Sequence, residues 1–183
     1  RKILQLLKNI HKAGSNAAII VDNMLSFARK GSASKSSYQI AELIDKTIIL
    51  AQSDYDLKKK YDFRQIKIIK EFDPLIPDVA CEESKILQVL FNIIKNAAEA
   101  MYEGEQKKAT PQILFRVFKA ENMVQLEIED NGPGINEVIR KRVFEPFFTT
   151  KDVDKGTGLG LSLSYFIIVD EHGGELKVES TVG

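Results

Sequence analysis

Residues 129–160 read EDNGPGINEVIRKRVFEPFFTTKDVDKGTGLG, with a cluster of glycines at each end. The first cluster, 130–134, follows an alternating apolar run typical of a strand, and the second, 156–160, leads into an apolar run typical of a helix. Glycine adopts positive φ and allows a ligand to approach the backbone N–H groups closely. The start of a helix adds unpaired amides and a positive dipole end, so the second cluster predicts an anion-binding site.

Asp130 ends the strand-like run and opens the first glycine cluster. Its carboxylate can accept a hydrogen bond from an exocyclic amine such as that of adenine. One end of the segment would then bind a base, while the other end binds phosphates. Each cluster alone is also typical of an ordinary turn or helix start, and only the combination favours a nucleotide site.

The composition is that of a folded chain without a strong overall charge. Its 183 residues are 44% hydrophobic and 28% charged, and 26 basic residues balance 26 acidic ones, so we expect no nucleic-acid partner. The single cysteine, Cys81, excludes an intramolecular disulfide and lies in an apolar run that predicts a packed thiol. No apolar run reaches the ~18 residues that span a bilayer. We therefore expect a cytoplasmic domain, and anchoring of a longer parent protein in the inner membrane stays open.

The first thirty residues show apolar positions three or four apart, which predicts one long amphipathic helix over 1–30. Such a helix reaches ~45 Å and needs a partner helix or a second chain. The small polar residues at 31–37 predict a linker, and the globular domain would follow at 38–183. His11 is interpreted as a polar residue at the edge of the apolar stripe. Because the sequence begins within this helical pattern and without methionine, we expect it to be part of a longer protein.

Helices and antiparallel strands are predicted in separate blocks rather than in alternation. The expected fold class is therefore α+β, a two-layer α/β sandwich preceded by the long N-terminal helix. The predicted helices cover 40–57, 84–101 and 161–169, and the predicted strands cover 66–70, 110–120, 122–130 and 177–180.

The second of these helices carries Asn92, Asn96 and Glu99 at spacings of four and three, which places them on one side. Amide oxygens suit a hard cation such as Mg²⁺, which is commonly held by one or two protein ligands together with phosphate oxygens. The alternative is that the two asparagines are merely exposed or capping residues.

Four blocks of the sequence, in this order, closely resemble the catalytic ATP-binding domain of sensor histidine kinases, within the Bergerat-fold (HATPase) ATPases. The resemblance covers about 37–183 and includes a His-Gly-Gly at 172–174 of the type that ends a helix in the family. The blocks are 92–100 (NIIKNAAEA), 130–135 (DNGPGI), 144–148 (FEPFF) and 156–161 (GTGLGL).

The resemblance implies a site for ATP and Mg²⁺. It makes Asp130 the ligand of the adenine amine and Asn96 the magnesium ligand, with Asn92 close to the phosphates. It also places the backbone of the two glycine clusters around the nucleotide. The cluster residues implied to bind it are Gly132, Gly134, Ile135, Gly156, Thr157, Gly158, Leu159 and Gly160.

The resemblance further makes 135–155 a mobile lid over the nucleotide. Phe144, Phe147 and Phe148 would be apolar anchors of this lid, and Lys151 would be its cation for the γ-phosphate. Family domains usually continue into one further strand after 180–183, so we expect a sheet that lacks one edge.

The N-terminal helix has a counterpart in the resemblance as well. Residues 22–29 look like the end of the second helix of a dimerisation and phosphotransfer hairpin, which implies a homodimer through this helix. The phosphoacceptor histidine of the family lies on the first helix, so we expect it on a segment missing from this chain, and His11 does not take its role. A response regulator receiver domain would be the partner.

The implied function is the kinase core of a two-component sensor. Two alternatives stay open at this stage. The first is a hydrolytic ATPase of the same fold, although related ATPases place a glutamate at the position of Asn92 and an amide cannot act as a general base. The second is a scaffold or dimerisation module that binds nucleotide without catalysis.

Overall fold

The computed structural model describes residues 34–54, 62–103, 110–151 and 156–182, together with isolated positions between 2 and 21. Those isolated positions are helical, and the side chains of Ile3, Leu7 and Ile10 are more than half exposed. The rest of the predicted helix 1–30, including His11, lies outside the described residues, and the domain boundaries stay predictions. Ser36 and Ser37, inside the predicted linker, belong to a strand.

The globular part consists of short strands and two principal helices, followed by a helical run with a π-helical second half. The elements are β1 (Ser36–Tyr38), α1 (Ile40–Ser53), β2 (Lys67–Phe72), β3 (Val79–Cys81), α2 (Glu83–Glu103), β4 (Gln112–Ala120), β5 (Met123–Asp130), α3 (Glu137–Arg140), α4 (Gly160–Tyr165) and the π-helix Phe166–Glu171.

The main sheet has the order β2-β4-β5, with β2 parallel to β4 and β4 antiparallel to β5. β1 and β3 form a separate antiparallel pair. The predicted hairpin is confirmed, since Ala120 pairs with Met123 across the turn formed by Glu121 and Asn122. Glu121 has φ +50° in this turn, a conformation that the right-handed twist of a tight hairpin favours.

The core lies between the sheet and α1 with α2, which confirms the two-layer α+β prediction. Alternate residues of β4, Ile113, Phe115 and Val117, are completely buried because successive side chains of a strand point to opposite faces. They meet Leu43 of α1 and Ile94 of α2, which are also inaccessible to solvent. This packing fixes the direction in which the opposite side of α2 points.

Cys81 is buried as predicted, and burial raises the pKa of its thiol, with Glu83 adding to the effect. The residue therefore packs as a small apolar group.

Two predicted elements differ from the structure. The predicted strand at 177–180 is wrong, because 173–182 belong to no strand, although Leu176 and Val178 are half-buried and their neighbours are exposed. The sequence alternation thus reflects a real burial pattern, but a strand also requires a partner ladder. The helix predicted at 161–169 extends to Glu171, and its second half is a π-helix.

Candidate nucleotide-binding site

The side of α2 that faces away from the core carries Asn92, Asn96 and Glu99, as predicted. Asn92 Nδ2 donates a hydrogen bond to the carbonyl oxygen of Gly160 at 3.2 Å. Asn96 Oδ1 lies 3.4 Å from Lys151 Nζ, and the carboxylate of Glu99 forms an ion pair with the same nitrogen. One helix face therefore contacts both the second glycine cluster and the lid.

The first glycine cluster lies at the other end of this face. A Cβ on Gly132 would stand 3.5 Å from Met101 Cγ and 3.6 Å from Ala100 Cβ, so the cluster packs directly on the end of α2. The order along this face of α2 is Asn92 with the second cluster, Asn96 and Glu99 with the lid, and Ala100 with the first cluster. Residues 92 to 100 span ~12 Å of helix.

Asp130 stands at the end of β5, where the first cluster begins. Its Oδ1 accepts a hydrogen bond from the N–H of Gly132 at 2.8 Å. The residue as a whole is exposed to solvent, but protein atoms surround its carboxyl group. This burial raises the pKa of Asp130. The hydrogen bond from the Gly132 N–H lowers the pKa, and the charge of Glu129 raises it. A Cβ at Gly132 would come within 2.6 Å of Oδ1, so a larger residue there would displace the Asp130 carboxylate.

Asn131 ties the first cluster to the sheet, a role that the sequence analysis missed. Its Oδ1 accepts from the N–H of Gln112 at 2.8 Å, and its Nδ2 donates to the carbonyl of Thr110 at 2.9 Å. The only signal in the sequence is an asparagine that directly follows a strand, which is typical of local side chain to backbone hydrogen bonds.

The chain after the π-helix closes on the first cluster. Gly134 has φ +71°, and a Cβ there would lie 2.1 Å from the carbonyl oxygen of Thr181. The N–H of Ile135 donates to Ser180 Oγ at 2.9 Å. Gly134 and Ile135 are thus fixed by residues 180–181, and nothing in the sequence indicated this contact.

The phenylalanine block contacts the second glycine cluster through its backbone. The N–H of Phe147, which has φ +65°, donates to the carbonyl of Gly158 at 3.0 Å. Gly158 has φ +67°, and a Cβ there would stand 2.4 Å from the carbonyl carbon of Phe147, so this contact requires glycine. Gly156 lies beside the lid cation, since its Cβ would be 3.2 Å from Lys151 Cδ.

The three phenylalanines differ in their surroundings. Phe144 packs at a tilt on Tyr165 with ring centroids 5.2 Å apart, and Arg142 lies 4.3 Å above the ring of Phe148. Phe147 is 57% exposed, and its role as an apolar anchor of the lid with nucleotide bound stays a prediction.

Leu159 stands immediately before α4. Its side chain is buried, and its carbonyl accepts bonds from Leu163 N and Ser162 Oγ at the start of α4. Any contact of Leu159 with a nucleotide would therefore use its backbone N–H. Thr157 and Gly160, which lie close to Leu159 in the chain, are half-buried.

His172 ends the π-helix, as the His-Gly-Gly resemblance implied. Its Nε2 accepts from the N–H of Glu82 at 3.1 Å, so Nδ1 carries the hydrogen that is donated to the carbonyl of Ile167 at 2.7 Å. The ring links the end of the helical run that starts at the second cluster to the start of α2.

A groove of about 370 Å³ lies outside this arrangement, between the lid and residues 176–179. Of the predicted site residues only Phe144 lines it, together with Arg140 and Lys177 among others. The groove is lined by three cations that already have intramolecular partners: Arg140 and Lys141 pair with Glu137, and Lys177 pairs with Glu175. The groove therefore does not coincide with the candidate site on α2.

No group of three or more histidine, cysteine, aspartate or glutamate residues in the described ranges is arranged to hold a metal ion. A bound cation would depend on amide oxygen, such as that of Asn96, and on oxygens of the ligand. The same part of the chain contains no helix both long and apolar enough to cross a membrane.

Residues 81–183, more than half of the chain, match the family described as histidine kinase-, DNA gyrase B- and HSP90-like ATPases. The chain belongs to this family. Its α/β architecture is the Bergerat fold of these ATPases, and its relatives identify it as the ATP-binding catalytic domain of the sensor histidine kinase type.

Sporulation kinase E of Bacillus subtilis (strain 168) is 34% identical over 166 residues, which are 90% of this chain and 20% of that protein. The catalytic domain of histidine kinase ThkA, solved without nucleotide, is 33% identical with a TM-score of 0.63, over 79% of this chain and 87% of that one. ThkA in complex with the response regulator protein TrrA is 27% identical with a TM-score of 0.66, over 93% of this chain and 46% of that chain. The chain spans 20% to 42% of the length of the first curated relatives.

Proposed function

We propose that this domain binds Mg·ATP and presents its γ-phosphate to a histidine outside this chain, as the kinase core of a two-component sensor. The observation that carries the proposal is the order of contacts along α2. The first glycine cluster, which Asp130 opens, the lid cation and the second glycine cluster at a helix start contact α2 one after another along its length. An elongated ligand with a base at one end and phosphates at the other fits this order.

Asp130 would accept a hydrogen bond from the amine of the base through Oδ2, since the Gly132 N–H donates to Oδ1. At the opposite end, backbone N–H groups of 156–160 and the start of the helical run 160–171 would bind phosphate oxygens. Lys151, which lies between Gly156 and α2, would contribute its charge to the terminal phosphate.

The residues present fit magnesium. Asn96 turns an amide oxygen toward the ammonium of Lys151, so this oxygen already faces a positive charge. Asn96, with Asn92 nearby, would therefore hold the ion together with phosphate oxygens, and the bound ion would neutralise charge on the triphosphate.

Asn92 favours transfer over hydrolysis. Its Nδ2 is engaged with the carbonyl of Gly160, and an amide cannot deprotonate an attacking water. Asn92 would thus position the second cluster on α2 while the nucleotide waits for its acceptor. The hydrolytic alternative lacks a base at this position.

The partners follow from the relatives. ThkA was crystallised with a response regulator, which supports a receiver domain as the partner of the protein that carries this domain. The exposed apolar residues Ile3, Leu7 and Ile10 support pairing of N-terminal helices from two chains. We also propose that the domain lies in the cytoplasm, together with its receiver-domain partner.

The test is transfer itself. The full-length protein that carries this domain should incorporate label from ATP marked on the γ-phosphate, in a bond that is stable to alkali and labile to acid, as expected of phosphohistidine. Asn96→Ala should abolish incorporation. Release of free phosphate without labelled protein would favour the hydrolytic alternative instead.

A further inference from the structure

Glu99 makes a contact that neither the resemblance nor the family assigns to it. Its carboxylate is paired with the ammonium of Lys151, which belongs to the lid and is 52 residues distant in the chain. The Glu99 side chain is only 12% exposed and that of Lys151 only 26%. This ion pair therefore links α2 to the lid in an enclosed position.

An enclosed carboxylate has two effects beside a phosphate site. It holds the ammonium in a defined place, 3.4 Å from Asn96 Oδ1, so the cation is ready where the terminal phosphate is expected. Without that ammonium, the same carboxylate would be an unpaired negative charge facing the negative charge of the ligand. The influence of Glu99 on binding therefore depends on whether Lys151 is present.

We infer that Glu99 is a positioning residue through which the site distinguishes ATP from ADP. It holds the Lys151 ammonium beside Asn96. In this position the ammonium pairs with the γ-phosphate of ATP as well as with Glu99. ADP has no phosphate at this point and leaves the pair unchanged. The inference rests on the proposed function and adds to it the part of the nucleotide that this pair recognises.

A double-mutant cycle tests the inference with this chain as it is. The variants are Glu99→Gln, Lys151→Met and both together, titrated calorimetrically with Mg·ADP and with the magnesium complex of a non-hydrolysable ATP analogue. Lys151→Met should weaken analogue binding about tenfold or more, and adding Glu99→Gln should restore at least about fivefold. All four proteins should bind ADP within about twofold of one another, which also shows that each variant is folded.

Two further variants separate positioning from a general structural effect. Lys151→Arg keeps the positive charge and should preserve the preference for the analogue over ADP. Glu83→Gln serves as the matched control, because Glu83 is also on α2 and is paired with Lys46 of α1, away from the site. It should change neither affinity.

The inference is overturned if Glu99→Gln changes analogue affinity by the same factor with and without Lys151, since the two residues would then act independently. It is also overturned if ADP affinity falls as much as analogue affinity, which indicates a purely structural pair. An unmutated chain that binds neither nucleotide contradicts the proposed function and this inference with it.

Discussion

The two ends of α2 hold their glycine clusters in different ways. At the Met101 end, the first cluster is fastened by the protein itself, through Asn131 to β4 and through Gly134 to Thr181. At the Asn92 end, the second cluster is joined to α2 by the bond from Asn92 to Gly160 and by the lid cation. Its other bonds are local, from Ser164 Oγ to Gly160 and between the backbones of Phe147 and Gly158. The end that we propose to bind the base is thus held in place by the protein alone, whereas the end that we propose to bind phosphates contains charges that a ligand can rearrange. We call them the base end and the phosphate end.

The largest effect should come from Asp130→Asn, which exchanges one acceptor oxygen for a donor at the base end. We expect the affinity for ADP and ATP to fall by about a hundredfold or more, because the amide would face the amine of the base donor to donor. The free energy of unfolding at neutral pH should stay the same or rise, because burial disfavours the charged form of this carboxyl. Calorimetry and urea denaturation measure the two quantities, and full affinity in the variant would refute the base-binding role.

Gly134→Ala should damage the pre-assembled end through its backbone. A side chain there is strained at φ +71° and would collide with the carbonyl of Thr181, so we expect about 3 kcal/mol loss of stability in urea denaturation. Gly173→Ala is the control, since Gly173 has φ +68° but no atom within 4 Å of a new Cβ. It should lose only about 1 kcal/mol. Equal losses would show that the segment 180–181 does not pack on Gly134.

The two asparagines at the cluster ends allow a direct comparison. Asn131→Ala removes two hydrogen bonds to backbone groups and should destabilise the domain by about 2 kcal/mol, while Asn92→Ala removes one and should cost about 1 kcal/mol. Chemical denaturation of both variants with ADP absent gives the comparison. A larger loss at Asn92 would reverse the assignment of the pre-assembled end.

The pH dependence provides a further check of the base end. Burial raises the pKa of Asp130, and the contact that we propose between this residue and the base requires the ionised carboxylate. ADP affinity should therefore begin to fall, as pH is lowered, at a higher pH than an ordinary aspartate would give. The free energy of unfolding should depend on pH in the opposite direction, because the folded state binds the proton of Asp130 more tightly than the unfolded state does. The contribution of Asp130 to stability therefore decreases as pH rises through its raised pKa. Titrations from neutral to acidic pH, with Asp130→Asn as reference, measure both trends.

The smallest change in stability should come from a residue that belongs to neither glycine cluster. Glu121 in the hairpin turn has φ +50°, and Glu121→Gly should stabilise the domain by about 1 kcal/mol by relieving this conformation. Nucleotide affinity should not change, because the turn lies at the far end of the hairpin from Asp130. A loss of affinity would indicate that the hairpin transmits strain to the site.

The sequence predicted those parts of the fold that depend on local periodicity. The alternation in β4 and β5 and the apolar face of α2 depend only on the order of side chains along a short stretch of sequence. The structure confirms both. The placement of Asn92, Asn96 and Glu99 on one side of a helix is confirmed for the same reason.

The missed features depend on contacts between distant residues. The pairing of Glu99 with Lys151 and the closure of Ser180 on Ile135 join positions 52 and 45 residues apart, and no spacing rule indicates either. The π-helix arises where His172 N bonds to the carbonyl of Ile167, five residues earlier, in an apolar run that reads equally well as α-helix. The residues at 177–180 alternate like a strand, but pairing depends on an available edge, which the segment itself does not reveal.

The central claim is that one face of α2 joins a base site to a phosphate site. Calorimetric titration of this chain with a non-hydrolysable ATP analogue, with and without Mg²⁺, tests it most directly. The account predicts one site per chain, with binding strengthened by Mg²⁺ and with this dependence lost in Asn96→Ala. Absence of binding at millimolar analogue, or binding that ignores both Mg²⁺ and Asn96, would contradict it.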